Sequence, residues 1–251
     1  FDDYGHHPTE IVATANSLKN KKYNMTDLNN VMESLLAENG CPWDKVQTHE
    51  TLKNYLIEES YEVVEAIDNK DSENLCEELG DVLFQIIFHS KLAERENKFD
   101  FSDVVNNVTA KMIYRHPHVF ANESADTPQD VSKSWEALKK KEKGYNTKKD
   151  VLESIPNALP ALIKGDKIVS KAMKLGLENS SLTDAIDNLE TELKRLKENN
   201  CSEKTANEEI IGKCFLELIR ISKFFKQNSE MSLTKVLKTY INNLEGVDEQ
   251  L

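Results

Sequence analysis

The sequence predicts an all-α protein built as two tandem helical-bundle units, the second degenerate. Three observations carry that expectation. Eight Gly and six Pro in 251 residues are too few for the turns of a β-sandwich or barrel. Apolar residues recur at three- and four-residue spacings along most of the chain, and no convincing strand pattern interrupts them. A faint internal repeat favours two units: Glu209-Ile-Ile-Gly-Lys-Cys-Phe-Leu resembles Glu77-Glu-Leu-Gly-Asp-Val-Leu-Phe, each after one helix and before a shorter one. The expected division is 1–25 as a polar tail or connection, 26–146 as one helical domain and 147–251 as its degenerate counterpart.

Residues 1–25 are polar and weakly patterned, and His6-His7 reads as exposed tail. Thr26 is placed to cap a helix over 27–38, with Leu28, Val31, Met32, Leu35 and Leu36 on one face. A tight segment, Gly40 to Asp44, precedes a helix over 51–67. A short polar link, Asp68 to Ser72, leads to a third helix over 73–94. The helix over 101–115 ends before Pro117, because a residue preceding proline is pushed out of helical geometry. Thr127-Pro-Gln-Asp130 has a capping hydroxyl, a first-turn proline and an acid near the positive end of the dipole. That helix should run to Lys143 and stop at Gly144. Asn146 to Lys149 reads as a linker, and helical patterns continue at 158–175, 182–197, 207–227 and 232–244.

A net charge of -12 makes the chain a poor non-specific binder of nucleic acid. No apolar run approaches a membrane span, and no signal-peptide pattern is present; the chain opens on Phe1, as a processed chain or a fragment would. Cys41, Cys76, Cys201 and Cys214 form no C-x-x-C pair, and Cys76 and Cys214 fall within apolar helical patterns. They read as reduced thiols of a cytoplasmic protein. No P-loop or Rossmann glycine motif occurs.

Paired acids on a helix ordinarily mark a solvated face, and the helical wheel, at about 100° per residue, tests this. On 51–67, Leu52, Leu56, Val63 and Ile67 form an apolar stripe with Glu59 in its middle and Glu62 at its edge; Glu58 points further out. On 73–94, Glu78, Asp81, Gln85 and His89 share one narrow strip flanked by Val82 and Phe88. Two antiparallel helices on a short link would bring Glu59 and Glu62 against Glu78 and Asp81. Four carboxylates in an apolar groove are costly without a counter-cation. Hard oxygen donors suit Mg²⁺, with Mn²⁺ as substitute, and the absence of Glu-x-x-His counts against iron. Lys111 and Arg115 are four apart on one helix, as are Trp135 and Lys139 on the next. Beside a metal cluster such cations form a phosphate clamp. His116 and His118 read as helix-end and turn contacts. The stripe Lys164, Lys167, Lys171 and Lys174 reads as a solvated face, with a nucleotide or partner contact as the alternative.

Four segments in order resemble the MazG family: Gly40-Cys-Pro-Trp-Asp-Lys-Val-Gln-Thr-His49, Glu58-Glu-Ser-Tyr-Glu62, Glu77-Glu-Leu-Gly-Asp81, and Lys111 through Arg115-His-Pro-His-Val-Phe120. The match covers about 27–145 and continues more weakly from Ser154-Ile-Pro to Gly176. The resemblance implies an all-α nucleoside triphosphate pyrophosphohydrolase, hydrolysing (d)NTP to (d)NMP and pyrophosphate by attack of water at the α-phosphorus. It implies Glu59, Glu62, Glu78 and Asp81 as Mg²⁺ ligands, with Glu59 or Glu62 acting on the water. It assigns Lys111, Arg115, Trp135 and Lys139 to the nucleotide and adds Glu58 to the EExxE motif. Gln85 and Trp43 stand close to these positions as supporting residues, and Trp43 or Trp135 is placed either to stack on a base or to pack in the core. A homodimer is implied as well. The second unit departs from the pattern: aligning Gly80 with Gly212 puts Ile210 at the Glu78 position and Lys213 at the Asp81 position. Two alternatives stand beside this reading. One is a helical scaffold or regulator that binds nucleotide without turnover; the other is a related all-α pyrophosphatase for dUTP, dCTP or phosphoribosyl-ATP.

Overall fold

The computed structural model describes residues 22–198 and 204–244. Most of the expected tail, with His6 and His7, and Cys201 lie outside the described residues. Among the described residues every regular element is a helix. They divide into two compact units, the first ending at Ser124 and the second starting at Ala125. The first contains α1 (Met25–Leu36), α2 (Pro42–Lys45), α3 (His49–Asn69), α4 (Ser72–Arg95), α5 (Phe101–Arg115) and α6 (Pro117–Phe120). The second contains α7 (Pro128–Lys143), α8 (Lys148–Glu153), α9 (Ala161–Lys174), α10 (Leu182–Glu198), α11 (Lys204–Phe224) and α12 (Ser229–Asn242). Compactness thus groups α7 with α8 to α12, whereas the expected division at 146 rests on motif content.

Local chemistry sets the helix ends. Asn24, not Thr26, caps α1: its Oδ1 accepts from the N–H groups of Thr26 at 2.8 Å and Asp27 at 3.2 Å, and Asp27 accepts from the Asn24 N–H at 2.9 Å. This reciprocal pair satisfies two donors that Thr26 could not reach together. The tight segment after Gly40 contains the short helix α2, started by Pro42 at its first turn. The expected linker region forms α8, because Thr147 and Asp150 make a capping box: Thr147 Oγ1 accepts from the Asp150 N–H at 3.1 Å and Asp150 from the Thr147 N–H at 2.8 Å. The Thr127–Asp130 box, Pro128 and a left-handed Gly144 at φ 65° bound α7 as expected.

In the first unit α3 and α4 form an antiparallel hairpin. Lys70 turns the chain at φ 57°, and the Asp71 carboxylate caps α4 by accepting from Glu73 and Asn74 N–H groups at 3.1 Å. The buried core joins Met32 and Leu36 of α1, Leu52 of α3, and Ile87, Phe88 and Leu92 of α4. Buried Lys91 ties α1 to α4, donating to Glu33 and Glu94 at 2.7 Å each, and Arg95 donates to the Leu36 carbonyl. All these contacts lie at the end of the hairpin away from its link. Ile67 and Cys76, expected on apolar faces, sit near the link and are exposed, Ile67 by 55%. Helical periodicity places a residue on a face but does not say how far along that face the cover extends.

Gly40 is a close-approach position. The Cys41 N–H donates to the Leu35 carbonyl at 2.8 Å, and a Cβ at residue 40 would stand 2.2 Å from that same oxygen and 2.5 Å from the Ser34 carbonyl. Both are backbone atoms that cannot swing aside. Gly40→Ala is expected to destabilise the protein by about 1–3 kcal/mol, the range for overpacking. An unchanged denaturation midpoint in urea would show that the α1–α2 turn relaxes freely.

The second unit is built on the pair α10 and α11, with α9 packed on α11. Gly165 of α9 lies where a Cβ would meet Ile219 Cδ1 at 2.5 Å. Val169, Ala172, Ala185, Ile210 and Ile219 are buried. Lys223 of α11 pairs with Asp166 of α9 at 2.8 Å, and Arg220 joins Glu178 to the buried Glu217 at 2.5 Å each. Among the described residues no helix is long and apolar enough to cross a membrane. Cys41, Cys76 and Cys214 are free thiols.

Candidate metal centre

The hairpin brings the predicted acids together. Glu59 lies in the middle of α3 and Glu78 and Asp81 in the early turns of α4, which puts them side by side across the two helices. One carboxylate oxygen from each of Glu59, Glu78 and Asp81 lies within 4.8 Å of the other two. Glu62, one turn after Glu59, stands near enough to both Glu59 and Glu78 to push their carboxyls up. This is the only such group of potential metal ligands among the described residues. Glu58, beside it on α3, is exposed.

Burial and mutual repulsion dominate the electrostatics. Partial burial, then Asp81 and Glu62, push the Glu59 carboxyl up to about 7 from an ordinary 4.5. Glu78 is raised by burial and by Glu62 and Asp81; Asp81 is raised by burial and by Glu77 and Glu62. Every charge acting on these groups is another carboxylate. A cluster of oxygen donors whose members repel one another is short of positive charge, and a hard divalent cation fits that donor set. The residues present therefore fit the group that the motif implies.

The strip on α4 continues inward from the acids. Asp81 is exposed, Glu78 half-buried and Gln85 buried at 5% exposure. Gln85 Oε1 and His89 Nε2 are buried without a hydrogen-bond partner among the described residues. His89 meets His49, the first residue of α3: the two Nδ1 atoms are 2.8 Å apart and the rings stack at 5.1 Å. Burial, and then His49, hold His89 below the ordinary histidine range. In the sequence His49 stands out only as the end of a motif. Its spacing from His89 carries no signal, since the contact spans 40 positions.

The remaining predicted residues divide between the units. Lys111 and Arg115 lie on α5; Lys111 is exposed, whereas Arg115 is buried to 6% exposure and already engaged within the protein. His116 behaves as a helix-end contact, its Nδ1 lying 2.7 Å from the Met112 carbonyl; the His118 ring is 5.6 Å from that of His116, and its Nδ1 is buried without a hydrogen-bond partner among the described residues. Trp43 packs edge-on against Tyr55, ring centroids 5.9 Å apart, and remains 37% exposed. Trp135 and Lys139 lie on α7 in the second unit, both half-buried.

At the aligned positions of the second unit the chemistry differs. Ile210 is buried at 4% exposure, and Lys213 pairs with Glu209 at 2.5 Å. Glu217, which aligns with Gln85, is buried and bound to Arg220.

Comparisons with known proteins agree in one direction. Residues 47–120 match the family described as the MazG nucleotide pyrophosphohydrolase domain. The chain is 36% identical over 223 residues to the nucleoside triphosphate pyrophosphohydrolase/pyrophosphatase MazG of Thermotoga maritima, covering 89% of this chain and 85% of that protein. It is 33% identical over 214 residues to the nucleoside triphosphate pyrophosphohydrolase of Escherichia coli K12, covering 84% and 81%. A Mycobacterium tuberculosis protein of the same description is 37% identical over 147 residues, 58% of this chain and 44% of its own.

Proposed function

The chain belongs to the MazG family of nucleoside triphosphate pyrophosphohydrolases, and on that premise we propose that its first unit performs the hydrolysis of (d)NTP to (d)NMP and pyrophosphate with Mg²⁺, water attacking the α-phosphorus. The observation that carries the proposal is the convergence of Glu59, Glu78 and Asp81 within 4.8 Å, with Glu62 close enough to act on Glu59 and Glu78. These four residues are the proposed ligands. A divalent cation supplies charge for the phosphate chain and acidifies water. Glu59 and Glu62 are proposed to orient the water and take its proton. Lys111, Arg115, Trp135 and Lys139 are the proposed nucleotide contacts, with the cations offsetting charge on the leaving pyrophosphate. Glu58, Gln85 and Trp43 support this set. In the same proposal 26–146 is the catalytic portion, and 147–251 a degenerate copy in which Ile210 and Lys213 occupy metal positions. The enzyme works as a cytoplasmic homodimer.

Pyrophosphate release with a panel of nucleotides tests this. Mg²⁺-dependent release from canonical (d)NTPs is expected. Nucleotide binding with no release would favour the scaffold reading. Turnover restricted to dUTP, dCTP or phosphoribosyl-ATP would favour the related pyrophosphatases.

A further inference from the structure

The second unit holds a lysine-lined cleft that the proposed reaction does not use. It measures about 500 Å³ and lies between α7 and α9, with Val151 of α8 and Leu175 as apolar surface. Lys133, Lys171 and Lys174 line it against one carboxylate, Glu136. An adjoining recess of about 200 Å³ shares Lys171 and adds Lys140 and Lys139; Lys139, one of the proposed substrate contacts, lines the recess and not the cleft.

The charged lining of the cleft is mainly positive in a chain that is acidic as a whole. The chain carries 44 acids against 32 Lys and Arg. Some cations of the same unit are paired with acids: Lys223 with Asp166 at 2.8 Å, Arg195 with Glu192 at 2.7 Å, Lys149 with Glu153 at 3.5 Å. Among the described residues none of Lys133, Lys171 and Lys174 is in an ion pair. Cations left without acids around a concavity focus a local positive field even in an acidic protein. Lysine binds phosphate as a point charge. A volume near 500 Å³ falls in the range of small-molecule sites and exceeds what an inorganic anion fills. The apolar surface of Val151 and Leu175 suits the sugar and base.

We infer that this cleft binds a nucleoside triphosphate, its phosphate chain on Lys133, Lys171 and Lys174, independently of the acidic cluster in the first unit. The test is calorimetric titration of the full chain with α,β-methylene ATP in EDTA, where metal-dependent binding at the acids is absent. The Lys171→Glu/Lys174→Glu variant is expected to bind at least about tenfold more weakly. Lys171→Arg/Lys174→Arg, which keeps the charge, retains binding, and Glu78→Gln/Asp81→Asn binds as the parent does. Circular dichroism verifies the helical fold of each. Unchanged affinity in the charge-reversed variant overturns the inference, and so does weakened binding in the acid variant, which would contradict independence from the acidic cluster. Inorganic pyrophosphate is expected to bind about tenfold more weakly than the analogue. Equal affinity overturns the nucleoside half of the assignment. Mg²⁺-dependent turnover of the acid variant bears on the catalytic proposal alone, so the two can fail separately.

Discussion

Glu59→Gln and Asp81→Asn are each expected to lower pyrophosphate release by at least about a hundredfold, the scale on which single metal-site or transition-state contacts register. Both changes are isosteric and remove one charged oxygen ligand from the only such cluster among the described residues. Neither opens a cavity, and each relieves repulsion among like charges, so the fold persists and metal-free stability at neutral pH rises. The second unit should supply no residual turnover, because buried Ile210 and the Lys213–Glu209 pair replace ligands at the aligned positions. Steady-state release assays on the two variants decide this. Near-parental rates in either would remove that residue from the site.

Chelation is the second large effect. Turnover should vanish in EDTA and return with Mg²⁺ or Mn²⁺, because the cluster offers oxygen donors only. The same chemistry fixes the sign of a stability effect. The Glu59 carboxyl is raised to about 7 in the folded protein against an ordinary 4.5, and Glu78 and Asp81 shift the same way. The folded state therefore holds protons that the unfolded chain has released. That contribution to stability is present below the unfolded values and is lost as pH rises through the folded ones. The metal-free melting temperature should fall between about pH 5 and about pH 7.5, with Glu59→Gln flattening the fall. Mg²⁺ should raise it more at the upper pH, where it no longer competes with protons. A metal-free melting curve independent of pH across that window would contradict the crowding of the four acids.

The convergence of the acids in the candidate site is legible in the chain because its signals are local. Glu59 falls in an apolar stripe, and Glu78 and Asp81 share a strip three residues apart; both are consequences of 3.6-residue periodicity. The short link then permits one arrangement, an antiparallel hairpin, so two helix faces become one groove. The Thr127 capping box, Pro128 and Gly144 are likewise readable, since every atom involved lies within a few residues. The box at Thr147–Asp150 is equally local, but its polar stretch has the composition of a linker, which hides the helix it starts.

Other features depend on contacts that periodicity does not carry. Ile67 has the right phase for burial, but at that end of the hairpin it stays more than half exposed. The burial of Arg115, the stacking of His89 on His49 and the unpartnered Gln85 Oε1 arise from segments distant in sequence. The lysines at 171 and 174 have the spacing of one solvated stripe; packing turns them toward a cleft facing α7. Residue type, spacing and helix ends are properties of a short stretch of chain and its backbone hydrogen bonds, and the sequence alone determines them. Depth, cover and the partner across a groove are properties of two stretches meeting, and so only the folded molecule decides them.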